Sequence, residues 1–423
     1  MSKLPEDTFF AQTSEELIQF IEDTRTKSEY ELKEIALSEQ DKWSIIDGVL
    51  SHKSKGFFQV TGLKNRSNPA DEKLMLYQPQ SALTGLIFFK SGDEIYTLLQ
   101  ARVEPGNTGV IQFGPTIQST PANYLKLHGG KATAYVENFT SFYPGCHLIT
   151  HSMQHDLGSK YYQKSKTHHY LQSSSPIPTQ ENMVWASLKS LWGVLWNDNF
   201  LNADLRSLLA VFDWDGFWKE GEKKPFQLNF PGGDYSTLKE FEMIPLDDLK
   251  EWEVDSNGVK ALNGQSSSIG MFHFSATNRE VKAWSQPLYK IDGQGLVQLL
   301  YTRSTGELEF LVRFDHECGI STPTALYPSY LSTPEEPNPK APFKEGQVKY
   351  EIIQCDEGGR FYQNDSTYQV IEVEQKPSEA KGKWVSSDEL KAYLSASNIC
   401  SFQLRCASSL ILPLLHPLSF DKK

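Results

Sequence analysis

Gly158-Ser159-Lys160-Tyr161-Tyr162 and Gly358-Gly359-Arg360-Phe361-Tyr362 write one phrase twice: small residues, a base, then two aromatics. Other phrases recur around them in the same order. Gly270-Met271-Phe272-His273-Phe274 echoes Gly56-Phe57-Phe58-Gln59-Val60, and Gln286-Pro287 echoes Gln78-Pro79. Leu308 to Val312, after Ser304-Thr305-Gly306, repeats the hairpin pattern of Ile95 to Leu99 after Ser91-Gly92-Asp93. Trp384 and Leu404-Arg405 fall where Trp185 and Leu205-Arg206 predict them. The spacing is roughly 200 residues and shrinks slightly toward the C-terminus, as a tandem duplication of one α+β unit would leave it. Asp213 to Asp255, with Glu220-Gly221-Glu222-Lys223-Lys224-Pro225 and Pro231-Gly232-Gly233, reads as the connection.

Short apolar runs with turns between them, such as Phe57 to Val60 and Leu86 to Phe89, predict strands. Trp185 to Phe212 carries leucines and tryptophans at helical intervals, so Trp185, Trp192 and Trp196 read as helix core. Thr13-Ser14-Glu15-Glu16 has the form of a capping box, and Leu17, Phe20, Ile21 and Leu32 behind it predict an amphipathic helix or helix pair. The expected units are an N-terminal helical segment, residues 1–42, and two repeats, residues 43–225 and 226–423.

With 423 residues, 39% hydrophobic and 22% charged, the composition is that of a globular protein. A net charge of -12 repels phosphate backbones and anionic lipid heads, so nucleic acid and membrane are poor partners. No apolar run approaches the roughly 18 residues of a membrane span. Met1 to Gln12 lacks the order of a signal peptide, and Leu410 to Phe420, broken by Pro413 and Pro417, reads as a packed tail. Five cysteines without a CxxC pair indicate reduced thiols in a cytoplasmic protein.

The most informative stretch for chemistry runs from Gln100 to Gly130. Between two apolar strands it sets Gln112, Thr116, Gln118, Ser119, Thr120, Asn123 and Tyr124, uncharged hydrogen bonders suited to a sugar or a base and equally found in a polar loop capping a sheet. His151 and His155 would share a helix face as metal ligands do, with His168 and His169 near in sequence, but no third ligand is set by spacing and no metal is expected.

The run from Arg102 to Tyr124 resembles the signature of the NDP-hexose 2,3-dehydratases of deoxysugar biosynthesis. So do the doubled glycine phrases at Gly158 and Gly358, Asn199 to Arg206, and Asn278-Arg279-Glu280-Val281 with Trp284 to Leu288. The resemblance extends from about Trp43 to Leu412. It implies a Nudix-like fold in each half, a homodimer, and dTDP-4-keto-6-deoxyglucose as substrate, with two nucleotide-sugar pockets per chain, one of them productive. The sequence departs from the family after Leu311-Val312-Arg313, where Phe314-Asp315-His316-Glu317-Cys318-Gly319 and a shortened Pro323 to Tyr330 stand. The second pocket is therefore expected to be degenerate. Gln154-His155-Asp156-Leu157-Gly158 replaces a phrase that the family usually writes with a glutamate. No Arg-Glu-x-x-Glu-Glu helix occurs, so a diphosphate hydrolase lacks its metal-holding carboxylates.

Elimination of water next to a ketone needs a base, an acid and donors for the enolate oxygen, and no cofactor. Glu104, Tyr124 and His128 are the catalytic candidates. Glu104 would be the base if burial raises its carboxyl toward working pH, and it also fits a surface residue opening a Pro-Gly turn. Tyr124 could donate to the keto oxygen or stack on thymine, or simply be core; His128 could be a turn residue. Substrate contacts are expected from Arg102, Gln112, Thr116, Gln118, Thr120, Asn123, Lys160, Asn202 and Arg206, with Arg102, Lys160 and Arg206 for the diphosphate and Arg360 as the second-half counterpart of Lys160. The alternative function is a catalytically silent nucleotide-sugar binding protein.

Overall fold

The computed structural model describes residues 8–127, 129–141, 145–218, 240–262, 266–335 and 342–417. The fold is mixed α/β and mostly strand. Two large sheets share one strand order. In the first half Met183–Ser187, Glu94–Val103, Ala82–Ser91, Ser165–Ser173 and Cys146–His155 lie side by side. In the second half Lys383–Ser386, Glu309–Asp315, Gly295–Thr302, Asp365–Glu372 and Gln347–Cys355 follow the same sequence. The long central strands are buried on both faces, which suits their near-continuous apolar runs.

A second pair of sheets also matches. Tyr161–Tyr162, Glu72–Tyr77, Gln59–Asn65, Val49–His52 and Trp43–Ile46 correspond to Phe361–Tyr362, Ala283–Ile291, Ser267–Ala276, Gly258–Ala261 and Trp252–Val254. Each of these sheets takes an extra strand from the other half of the chain. Phe241–Ile244 pairs with Gln59–Asn65, and Tyr30–Ile35 pairs with Ser267–Ala276.

The short aromatic strands show why the glycine phrases recur. The Gly106 N–H donates to the Gly358 carbonyl at 2.8 Å, and the Gly106 carbonyl accepts from the Gln363 N–H at 2.7 Å. The mirror contacts are Gly319 N–H to the Gly158 carbonyl, 2.8 Å, and Gln163 N–H to the Gly319 carbonyl, 2.6 Å. A Cβ on Gly106 would stand 1.6 Å from the Phe361 carbonyl oxygen, and one on Gly319 1.8 Å from that of Tyr161. Only glycine permits such backbone approach. Each glycine phrase therefore docks on the other half's signature loop.

Core packing follows the crossover. The Tyr161 and Phe361 rings meet at 5.5 Å inside one apolar cluster that draws on both halves. The helices Ala203–Val211 and Phe402–Ser409, capped by Asn202 and Ser401, pack together. Arg206 donates to Gln354 and Ser409 of the second half, and Arg405 to Ser207 and the His155 carbonyl of the first. These buried arginines join the halves.

Several local expectations change. Thr13 and Glu16 form the capping box of one helix, Ser14–Lys27, but Leu32 lies on a strand. Trp185 is on the strand Met183–Ser187, where the sheet's apolar environment overrides a helical spacing. His151 and His155 are on the strand Cys146–His155, and His155, pushed down to about 4 by burial with Arg405 and His316 adding, contacts Thr322. Two echoes are out of register: the sheets align Leu76 with Tyr289 and Val60 with Ile269, each opposite its own partner, so neither Gln78-Pro79 with Gln286-Pro287 nor Gly56 with Gly270 is a structural pair. Both glycine-rich phrases of the connection lie outside the described residues, as do residues 418–423 of the tail.

Candidate functional site

The first signature loop opens on a cavity of about 520 Å³. Arg102, Glu104, Gln118, Thr120 and Asn123 line it from the first half. Arg279, Glu280, Trp284, Gln286, Glu357 and Arg360 line it from the second, the last two on the glycine phrase that docks on Gly106. The cavity thus belongs to neither half alone.

Glu104 sits at its centre of hydrogen bonding. It is 2% exposed, pairs with Arg102 Nε at 2.9 Å and accepts from Gln118 and Asn107 at 3.2 Å each. Gln118 is itself oriented by Asn202, whose amide donates to it at 2.9 Å while its oxygen caps the helix behind. Arg102 is held above the usual guanidinium range against burial by Glu104 and Glu280.

Beside this network lies a second charged group. Lys166 Nζ contacts Asp204 at 2.6 Å, Glu357 at 2.9 Å and Asp156 at 3.2 Å. Against burial, these three carboxylates hold its ammonium well above the usual lysine range. Lys164, 4.0 Å from the Tyr161 ring, is instead lowered by burial, with Lys166 and Arg360 adding to the effect. Burial, with Glu357 and Asp156, raises the Asp204 carboxyl against the pull of Lys166. Glu357 goes the other way: against burial, Lys164, Lys166 and Arg360 hold it low. Lys164 Nζ, Arg360 Nε, Thr120 Oγ1 and Asp204 Oδ2 have no hydrogen-bond partner among the described residues. A buried polar group left so is costly, and for Lys164 the ion pairs to Asp156 and Glu357 offset part of that cost.

The opposite end is aromatic. Trp43 packs on Phe58 at 5.0 Å and on His52 at 5.4 Å, and His52 on Phe57 at 4.6 Å. The Arg360 guanidinium lies over Phe58 at 4.3 Å, between the ring end and the carboxylates. Counted over its lining, the cavity holds seven Lys or Arg side chains against four Asp or Glu. In a chain of net charge -12, that local excess selects for an anion. A planar base, an anionic linker and a hydroxylated ring would each find a matching surface there.

Five expected contacts are placed elsewhere. Gln112 is buried against Thr108, Asn199 and Cys355, and Thr116 ties the Ile87 N–H to the Leu98 carbonyl across two strands. Arg206 is wholly buried, and burial brings it down to about 10; its bonds to the second half make it a structural link, not a phosphate contact. Lys160 is absent from the cavity lining and pairs with Glu335 at 3.1 Å. Asn202 reaches the cavity only through Gln118. Tyr124 is also absent from the cavity lining and packs against the apolar cluster of Ile117 and Phe139. His128 lies outside the described residues. Reasoning from sequence missed Lys164, Lys166, Asp204, Arg279 and Glu357, although Arg279 stood in a quoted phrase and Asp204 in another.

The phrase Gln154 to Gly158 holds no glutamate, whereas its second-half counterpart carries Glu357, and the crossover brings Glu357 into this cavity. A second hollow, about 330 Å³, lies at the mirror position. Asp315, Glu317 and Leu331 occupy the places of Arg102, Glu104 and Gln118, and Glu72 and Glu335 add further carboxylates.

Comparison with known proteins agrees in one direction. The sequence model of a family described as NDP-hexose 2,3-dehydratase matches residues 14–212 and 235–411. A dTDP-4-dehydro-6-deoxy-alpha-D-glucopyranose 2,3-dehydratase of Saccharopolyspora spinosa is 26% identical over 91% of this chain and 88% of that protein. Proteins of the same name from Streptomyces violaceoruber and Amycolatopsis orientalis are 26% and 25% identical, over 78% and 90% of this chain and 80% and 86% of theirs.

Proposed function

The chain belongs to the NDP-hexose 2,3-dehydratase family, and on that premise we propose that it removes water from dTDP-4-keto-6-deoxyglucose in the cavity at Glu104. The observation that carries the reading is the lining itself: an aromatic end, a cationic middle at Arg360, and a carboxylate end at Glu104, Asp204 and Glu357. Thymine would stack among Trp43, His52, Phe57 and Phe58, and the diphosphate would meet Arg360 and Arg279. The keto-hexose would then lie among Gln118, Thr120, Asn123 and the carboxylates.

The ketone at carbon 4 acidifies the hydrogen on carbon 3. Glu104 takes that proton, and the electron pair forms an enolate whose oxygen needs nearby donors. The enolate expels the carbon 2 hydroxyl, which leaves as water when an acid protonates it. The product enol loses its hydroxyl proton and gains one at carbon 2, giving the 3,4-diketo-2,6-dideoxy sugar. Atoms balance with one water released and no oxidant.

Incubation with dTDP-4-keto-6-deoxyglucose, followed by mass spectrometry of the nucleotide sugar, tests this. Loss of one water supports it; unchanged ligand with measurable affinity points to the silent binding protein, and released dTDP or dTMP to a hydrolase. The matching strand orders and the two segments matched by the family model support a tandem duplication of Nudix-like units, with domains near residues 43–225 and 226–423 after an N-terminal segment. The same reading carries a homodimer in the cytoplasm, and sedimentation of the purified protein checks the former. Among the described residues no helix is long and apolar enough to cross a membrane.

A further inference from the structure

The reaction needs an acid at carbon 2, and neither Tyr124 nor the described part of the signature loop supplies one. We propose that Asp204 is that acid: it donates the proton on which the carbon 2 hydroxyl departs as water. The inference rests on the dehydratase reading and names a group in the same cavity.

Asp204 lines the cavity, is 2% exposed, and stands in the first turn of the helix Ala203–Val211. Its two oxygens are unlike. Oδ1 is fixed by Lys166 at 2.6 Å, and Oδ2 has no partner among the described residues. One oxygen is thus anchored and the other left without a hydrogen bond in a residue of the cavity wall. Three carboxyls, Asp156, Asp204 and Glu357, share the one ammonium of Lys166, and Lys164 adds a second cation 3.4 Å from Asp156 and 3.6 Å from Glu357. Crowded like charges in a buried place favour keeping one carboxyl protonated, as paired carboxylates do elsewhere. Burial raises Asp204, whereas Lys164, Lys166 and Arg360 hold Glu357 low against burial, so of these two Asp204 is the one displaced toward its protonated form.

The mirror hollow provides an internal control. There the helix Phe402–Ser409 places Gln403 where Asp204 stands, and Gln403 donates to Glu317, the counterpart of Glu104. Ser366 takes the place of Lys166, in register with Gly295 as Lys166 is with Ala82. A glutamate survives in both hollows; the acid and its anchoring lysine occur in one.

In the elimination, the carbon 2–oxygen bond breaks as Asp204 transfers its proton to that oxygen. The resulting aspartate can recover a proton from the enol hydroxyl at carbon 3, so the step needs no other reactant.

The test compares dTDP-4-keto-6-deoxyglucose with its 2-deoxy-2-fluoro analogue, from which fluoride leaves without protonation. Asp204→Asn should lose roughly 10²–10⁴-fold in water elimination and release fluoride within a few-fold of the unaltered protein. Glu104→Gln should fail on both. For the unaltered protein, elimination of water should decline as pH rises past the acid's titration, and fluoride release should lack that decline, a readout independent of how any variant folds. Equal losses on both substrates in Asp204→Asn, or the same alkaline decline for both in the unaltered protein, would overturn the assignment. If the unaltered protein releases neither water nor fluoride, it is the dehydratase reading that fails.

Discussion

The two hollows are built by the same strands in the same order, yet their charges are opposed. The first sets Arg102, Glu104 and Gln118 against Arg360; the second sets Asp315, Glu317 and Leu331 near Lys160, whose ammonium is already spent on Glu335. Four carboxylates against one lysine and one arginine line the second hollow, the reverse of the first. A shared scaffold therefore does not carry a shared ligand; the side chains at a few matched positions decide it.

The largest contrast is expected between Glu104→Gln and Glu317→Gln. The first should lower turnover about 10²–10⁴-fold with dTDP binding retained, and the second should leave turnover within a few-fold, both read by mass spectrometry of the product. Full activity in Glu104→Gln removes it from the mechanism. Next, Arg360→Ala should raise KM about 10–100-fold, since a charge-assisted bond contributes on the order of 1.5–3 kcal/mol, whereas Lys160→Met should lower the melting temperature and leave KM alone. Equal KM effects would break the crossover.

Gly106→Ala and Gly319→Ala sharpen the same point. Both force a Cβ into a carbonyl oxygen and should destabilise by about 1–3 kcal/mol in denaturant melts. Only Gly106→Ala should also impair turnover, because it displaces the loop of Glu357 and Arg360.

The smallest effect concerns the paired aspartates. Asp156 faces Lys164 and Lys166, whereas Asp356 has Asn364 where Lys164 would be, and burial pushes it up to about 7 against Lys160. The native state then keeps a proton that the unfolded chain loses above about 3.8. Stability from this group is greatest below that pH and declines as pH rises to about 7. Asp356→Asn should flatten that part of the stability profile, measured by urea melts across it.

Much of this could be read before any coordinates. Trp185 pairs with Leu98 and Trp384 with Leu311, so that echo marks one place in two sheets, as do Arg206 and Arg405 in their helices. The Gln-Pro echo misled because identical letters carry no register; the alternating faces of a strand do. Gln118, Thr120 and Asn123 were legible as a polar run between strands, and Glu104 as the candidate base. Lys166 and Asp204 were not, because one is a strand residue among histidines and the other a helix residue, and their meeting is a tertiary event. The crossover was hidden for the same reason, although the glycines at 106 and 319 were its trace: a loop's docking partner is set by backbone approach.

The most direct measurement is a crystal structure of the Glu104→Gln variant with dTDP-4-keto-6-deoxyglucose. The diphosphate should contact Arg360 from the second half, with the hexose ring between residue 104 and Asp204 of the first. Density for the nucleotide sugar against Lys160 and Glu317 instead, with the first cavity empty of it, would contradict the account.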